Sequence, residues 1–150
     1  MGADLVNPVG PALSVSDIHE SECRMGCAWP EDYRQFLLRN NGGMPLRSRF
    51  TIVATGREDT VEMFYGVNPI EEKDWVIYQR ESSRDLLPQC LLTIGHDPAK
   101  NYICLGIAGK YRNKVYLWDK SGEFIEKLAD PWRWVHLVSN SFAEFLRTLH

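Results

Sequence analysis

The chain has 150 residues, 44% hydrophobic and 25% charged, with 5 Trp, 6 Tyr and 6 Phe. That is too apolar for a disordered segment and too mixed for a fibrous one. At this length one core can bury roughly two-thirds of the unfolded surface without staples. The net charge of −3 lacks the basic excess that neutralises phosphates, so no nucleic-acid partner is expected. No apolar run approaches the ~18 residues of a membrane span, so no membrane partner is expected either.

Residues 1–13 carry Pro8, Gly10 and Pro11 without periodicity and read as a loose N-terminal arm ahead of a domain spanning 14–150. Met1 to Leu5 lack the basic and apolar regions of a secretory signal. Val6 stands where a myristoylation motif needs Ser or Thr. The cytoplasm is the expected location. Ser14 to Asp17 has the Ser-x-x-Asp form of a capping box, and Val15, Ile18 and Met25 fall near one face, predicting a helix over about 15–25. A second helix, about 30–41, begins at Pro30 with Glu31 and Asp32 in its first turn. Tyr33, Phe36, Leu37 and Asn40 recur at helical spacing, and Gly42-Gly43 followed by Pro45 ends it.

Residues 50–55 are β-branched and aromatic and predict a strand. A short strand or turn surrounds Met63 to Gly66. Trp75 and Tyr78 suit a helix face over 70–81, although Trp75 to Tyr78 would also fit an extended run; the helix is the reading adopted. Three strand-like runs follow: Cys90 to Ile94, Tyr102 to Ile107, and Val115 to Trp118. Turn-rich joints at 95–98 and 109–113 link them, which makes an antiparallel meander the natural arrangement. Val115 and Leu117 alternate with Tyr116 and Trp118, so both sheet faces should be covered. Ser141-x-x-Glu144 opens a last helix whose Phe142, Phe145, Leu146 and Leu149 form one apolar stripe that must dock on the sheet.

This order of elements resembles the SUKH superfamily, the Smi/Knr-type domains of bacterial immunity proteins and of a fungal cell-wall-assembly regulator. Trp29 to Leu38 running into Asn41-Gly42-Gly43-Met44-Pro45 is similar to its opening motif. Phe64-Tyr65-Gly66 resembles its aromatic-Gly element, and Leu87-Pro88 through Leu91 to Asp97 its central strand. Asn101 to Leu105, Val115 to Asp119 and Ser141 to Leu146 continue the likeness over about residues 14–149. Two departures stand out: Lys100 and Asn113-Lys114 occupy positions where a Gly is common. The resemblance implies an α+β domain, mostly antiparallel sheet with helices packed around it. It further implies that the chain, like most bacterial members, binds and neutralises a cognate polymorphic toxin, such as a nuclease, by direct contact. A regulatory or scaffold module of the same fold, with no toxin partner, is the alternative. Either implies a protein partner and a monomer or weak dimer.

No residue set points to catalysis, a cofactor or a metal. His96-Asp97 invites a dyad, but no Ser or Cys is marked as poised beside it, and a turn ahead of Pro98 explains Asp97. Cys23 and Cys27 have C-x3-C spacing without a second half, and with Cys90 and Cys104 they read as free thiols of a reducing compartment. The charge order is uneven. Five Arg (34, 39, 47, 49, 57) and no acid run from 34 to 57; six acids (Glu58, Asp59, Glu62, Glu71, Glu72, Asp74) and one Lys follow. Solvated faces account for this as well as an acidic surface that meets a basic toxin does. Trp132-Arg133-Trp134 has the composition of an interface anchor, although alternate Trp also suits a half-buried strand. These nine residues are the candidate partner-binding set.

Overall fold

The computed structural model describes residues 4–121 and 128–150. A five-stranded antiparallel meander forms its centre, in the order β5 (Met63–Phe64), β6 (Leu91–His96), β7 (Tyr102–Gly106), β8 (Val115–Trp118) and β9 (Val135–Ser139). Two small antiparallel pairs flank it: β1 (Leu5–Val6) with β2 (Met44–Pro45), and β3 (Arg49–Thr51) with β4 (Glu58–Thr60). The α+β domain with helices against an antiparallel sheet, expected from the periodicities, is what the structure shows.

Helix α1 (Val15–Met25) is opened by the Ser14–Asp17 capping box and closed by Gly26 at φ +76°. Helix α2 (Glu31–Arg39) ends before Gly42 and Gly43, at φ +66° and +119°, where a Cβ would run into the backbone of Phe64 or Val6. The last helix, here α4 (Phe142–Thr148), starts at Ser141, whose hydroxyl accepts the Glu144 N–H. Helix α3 (Val76–Ser83) stands between β5 and β6 in sequence.

Strand alternation sorts the sheet into two faces. Leu92, Ile94, Ile103, Leu105, Val115 and Leu117 join Tyr33, Phe36, Leu37, Phe142 and Phe145 from α2 and α4 in the main core. Phe142 lies edge-on to Tyr33 and Phe36, with ring centroids 5.4 and 5.1 Å apart. The other face carries Leu91, Cys104, Tyr116 and Trp118, covered in part by Leu87 and Trp132. That cover is incomplete, and the gap beside α3 is a cleft.

Four local expectations are corrected. Residues 4–13 of the arm are docked: Leu5 and Val6 pair with Pro45 and Met44, Val9 is buried, and its N–H donates to the Asn41 carbonyl. The strand expected over 50–55 stops at Thr51, because the Ile52 carbonyl takes the N–H groups of Thr55 and Gly56 and the chain turns back into β4. The helix expected over 70–81 is broken at Trp75. Gly66 there donates to the Asp74 carbonyl and accepts from Val76, holding Trp75 extended between a 3-10 turn at Glu72–Asp74 and α3. Pro131–Trp134 is a 3-10 turn, and the following strand begins only at Val135.

Candidate functional site

The cleft between α3 and the sheet has a volume of about 790 Å3, within the usual range of ligand and anchor pockets. Tyr65, His96, Tyr102 and Trp118 make its floor; Glu62 and Lys100 stand on one side, Asp74 and Gln79 on the other. The β6–β7 hairpin brings His96 opposite Tyr102, and the β7–β8 pairing brings Tyr102 opposite Trp118, their rings 5.6 Å apart. Tyr102 Oη donates to Gln79 Oε1 at 2.8 Å, tying floor to wall.

A chain of hydrogen bonds crosses the floor. Tyr65 Oη lies 2.8 Å from His96 Nδ1, and His96 Nε2 lies 2.9 Å from Glu62 Oε2. With Tyr65 donating to Nδ1 and Nε2–H donating to the carboxylate, a neutral imidazole satisfies both contacts, and Lys100 Nζ, 3.2 Å from Nε2, donates to Glu62 alone. Burial lowers the His96 pKa, the nearby Lys100 ammonium adds to that, and Glu62 opposes both. Lys100 Nζ donates to the same Glu62 oxygen at 2.9 Å. Lys100 first and His96 next hold the Glu62 carboxyl below its ordinary range. Asp74 goes the other way, raised chiefly by burial.

Lys100 has φ +70° and Asn113 φ +67°. These two departures from the Gly-rich pattern therefore keep the left-handed backbone that Gly adopts freely. Asn tolerates that conformation, and Asn113 Nδ2 donates to Asp32 in the first turn of α2. Lysine gains nothing from it locally; its side chain reaches the cleft.

On the opposite side of the sheet the same β6–β7 turn borders a depression of about 240 Å3 that includes Arg57, Glu58, Asp59, Asp97, Asp119 and His136. Asp97 is 2% exposed and accepts from Asn101 N and Nδ2 at 2.8 and 3.0 Å. Asp59, half-buried beside it, is pushed up to about 7 by burial first and by Asp97 next. His96 and Asp97 thus leave the strand toward opposite faces, one into each depression, and form no dyad.

The candidate set is dispersed. Glu62 and Asp74 line the cleft; Glu58 and Asp59 lie in the opposite depression. Glu71 pairs with Lys73 at 3.4 Å, and Glu72 is exposed in the 3-10 turn. Trp132 stacks on Tyr111 with centroids 4.4 Å apart, and the Arg133 guanidinium lies 5.4 Å from the Trp134 ring centre. Residues 58–74 therefore present neutralised and unneutralised acids by turns. Sequence reasoning did not assign Tyr65, Lys100, Tyr102 or Trp118 to a site; the unexpected Lys at a Gly position was the one local sign of it. Among the described residues no group of three or more His, Cys, Asp or Glu is arranged to hold a metal ion, and no helix is long and apolar enough to cross a membrane.

A family model described as the SMI1 / KNR4 family (SUKH-1) matches residues 12–148. The chain belongs to that family. The match covers the docked helices, the whole meander and the cleft, and it bears out the resemblance drawn from the motifs. SUKH-1 domains are immunity-protein-like domains, a fold associated with binding protein partners. Comparison with curated proteins found no match.

Proposed function

We propose that this SUKH-1 chain is a cytoplasmic immunity protein that neutralises a cognate toxin by direct contact, and that the cleft receives an anchor side chain of that toxin. The observation that carries this reading is the cleft itself: an open cavity of about 790 Å3 with an aromatic floor and a polar rim. Interfaces concentrate their energy where one side chain fills a desolvated pocket ringed by polar groups. The rim is already hydrogen-bonded, so docking leaves few charges stranded. Lys100, held in an unfavourable backbone conformation with its ammonium on the rim, fits a surface kept for recognition.

Glu58, Asp59, Glu62, Glu71, Glu72 and Asp74 supply the field that steers a basic toxin, a nuclease being the natural class. Trp132, Arg133 and Trp134 extend the aromatic surface beyond the cleft. A partner of nanomolar affinity needs about −12 kcal/mol, which requires a filled anchor pocket as well as charge.

Co-expression with a toxin encoded beside this chain should restore growth, and the two should co-purify. Leu at Gln79 and Ala at Trp118 should abolish co-purification while the domain stays folded. Charge reversal at Glu58 and Glu62 should slow association at low salt by roughly tenfold or more. Rescue that survives both cleft changes refutes the cleft as the docking site; absence of any rescue or complex refutes the immunity reading.

A further inference from the structure

Outside the cleft, α1 assembles a second cluster of reactive groups. Cys23 is exposed, Cys27 is half-buried, and both line one shallow depression of about 220 Å3 together with His19 and Glu22. Residues 19, 22 and 23 share a helix face because they are three and four apart. The Cys23 Sγ lies 3.5 Å from His19 Nε2, and His19 Nδ1 lies 3.9 Å from Glu22 Oε1. Glu22 is buried and held in place: its Oε2 accepts the Trp29 N–H at 2.6 Å and lies 3.5 Å from Arg34 Nε. Thiol, imidazole and anchored carboxylate thus follow one another, the order in which a base accepts a thiol proton and a carboxylate orients the base.

The helix end brings in the second thiol. Gly26 takes the left-handed conformation and donates to the Cys23 carbonyl, while Cys27 N–H donates back to the Glu22 carbonyl. This reverse turn folds Cys27 over the last helical turn. Both thiols therefore face the same depression, and a disulfide between them requires a Cα separation of about 4.4–6.8 Å. Burial raises the Cys27 pKa against the pull of Arg80 and Arg112, so this thiol stays protonated while the exposed one meets solvent oxidants first.

We propose that Cys23 and Cys27 are a peroxide-sensitive dithiol, with Cys23 the thiol attacked first, His19 its base and Cys27 the resolving thiol. His19 takes the Cys23 proton, and the thiolate sulfur attacks one oxygen of a hydroperoxide. The S–O bond forms as the O–O bond breaks; the departing oxygen takes the proton from His19 and leaves as water or alcohol. Sulfur is oxidised by two electrons and the peroxide reduced by two. The Cys27 sulfur then displaces the hydroxyl of the sulfenic acid, S–S forming as S–O breaks, and the Cys27 proton leaves with it as water. The same helical turn carries Arg24, which lies 4.8 Å from the ring centre of Trp75, the residue ahead of α3.

The test uses the full reduced chain, treated with one equivalent of hydrogen peroxide and read by intact mass and peptide mapping. The expected product has lost two hydrogens, carries a Cys23–Cys27 linkage, and is restored by dithiothreitol. Cys27→Ser should stop at a sulfenic acid that dimedone traps on Cys23. His19→Asn should slow alkylation of Cys23 by iodoacetamide at pH 7 by roughly tenfold, below the full effect of a positioned base in a closed site, and the difference should vanish at pH 10. Oxidation that goes first to Cys90, an unchanged alkylation rate in His19→Asn, or zinc co-purifying on the two thiols would each overturn the proposal.

Discussion

Replacing Asn41 by alanine removes three hydrogen bonds from a residue only 3% exposed. Its Oδ1 accepts the Val67 N–H at 2.8 Å; its Nδ2 donates to the carbonyls of Val67 at 2.8 Å and Pro11 at 2.9 Å. Each bond contributes about 1 kcal/mol net, and the buried Val67 N–H left unmatched costs about 1 kcal/mol or more. The sum is about 4 kcal/mol. For a domain of this size that lowers Tm by roughly 8–16 °C. Urea unfolding should show the loss as a lower midpoint at unchanged slope. The Asp variant is the sharper probe. It keeps the acceptor for Val67 but turns an anionic oxygen toward two carbonyls. It should lose at least as much as Ala at pH 7 and recover stability as pH falls, because the protonated acid can donate once more. A loss under about 1 kcal/mol for Ala, or a pH-independent Asp variant, would refute the accounting. The consequence reaches the cleft. Asn41 packs against Gly66, where a Cβ would strike its side chain, and Gly66 in turn clips Asp74 and Val76 to the sheet edge. Amide exchange at Val67 and Val76 should quicken in both variants.

Tyr33→Phe removes a buried hydroxyl that has no hydrogen-bond partner among the described residues, so stability in urea should hold or rise by about 1 kcal/mol; a loss above 1 kcal/mol would expose a hidden partner. The His96 pKa is lowered in the fold, so its contribution is present above about pH 6.5 and is lost as pH falls through the folded value; His96→Gln should flatten that limb of the stability curve. Asp59 has the opposite sign. Raised to about 7, it stabilises the fold below about pH 4 and loses that contribution as pH rises to 7, an effect on the order of 1 kcal/mol for so open a group. Asp59→Asn should leave stability level across that window. Lys100→Gly should relieve about 1 kcal/mol of left-handed strain and lose an exposed ion pair of about 0–1 kcal/mol, giving unchanged or slightly higher stability in urea with weakened toxin capture. Destabilisation by more than 1 kcal/mol would show that the Lys is there for the fold.

Elements whose signals are local were legible in the chain. The Ser14–Asp17 box opens α1, whose Gly26 stop went unread, and the 0, 3, 4, 7 stripe from Phe142 to Leu149 reports which side of α4 faces the core. The alternation in Val115–Trp118 sorts its side chains between the two faces. Capping, helical period and strand period act within a few residues, so they survive reading without a partner. The errors fall where a distant segment takes over. Residues 52–55 are as β-branched as a strand needs, but the chain turns there to place β4 beside β3. Trp75 fits a helix, yet Gly66 pulls it straight. Leu5 and Val6 have no pattern until Pro45 and Met44 lie alongside.

The order of residues alone carried the antiparallel meander with helices docked on it, through periodicities and turn chemistry, and the likeness to the SUKH superfamily, through motifs in sequence order; the family model then placed the chain in SUKH-1. The cleft was decided by the folded chain. Glu62, Tyr65, Asp74, His96, Lys100 and Trp118 span more than fifty positions and meet only when β5, β6, β7 and β8 come into register with α3 beside them. A hydrogen bond from Tyr65 to His96 crosses 31 residues of sequence, and no local rule reaches that far.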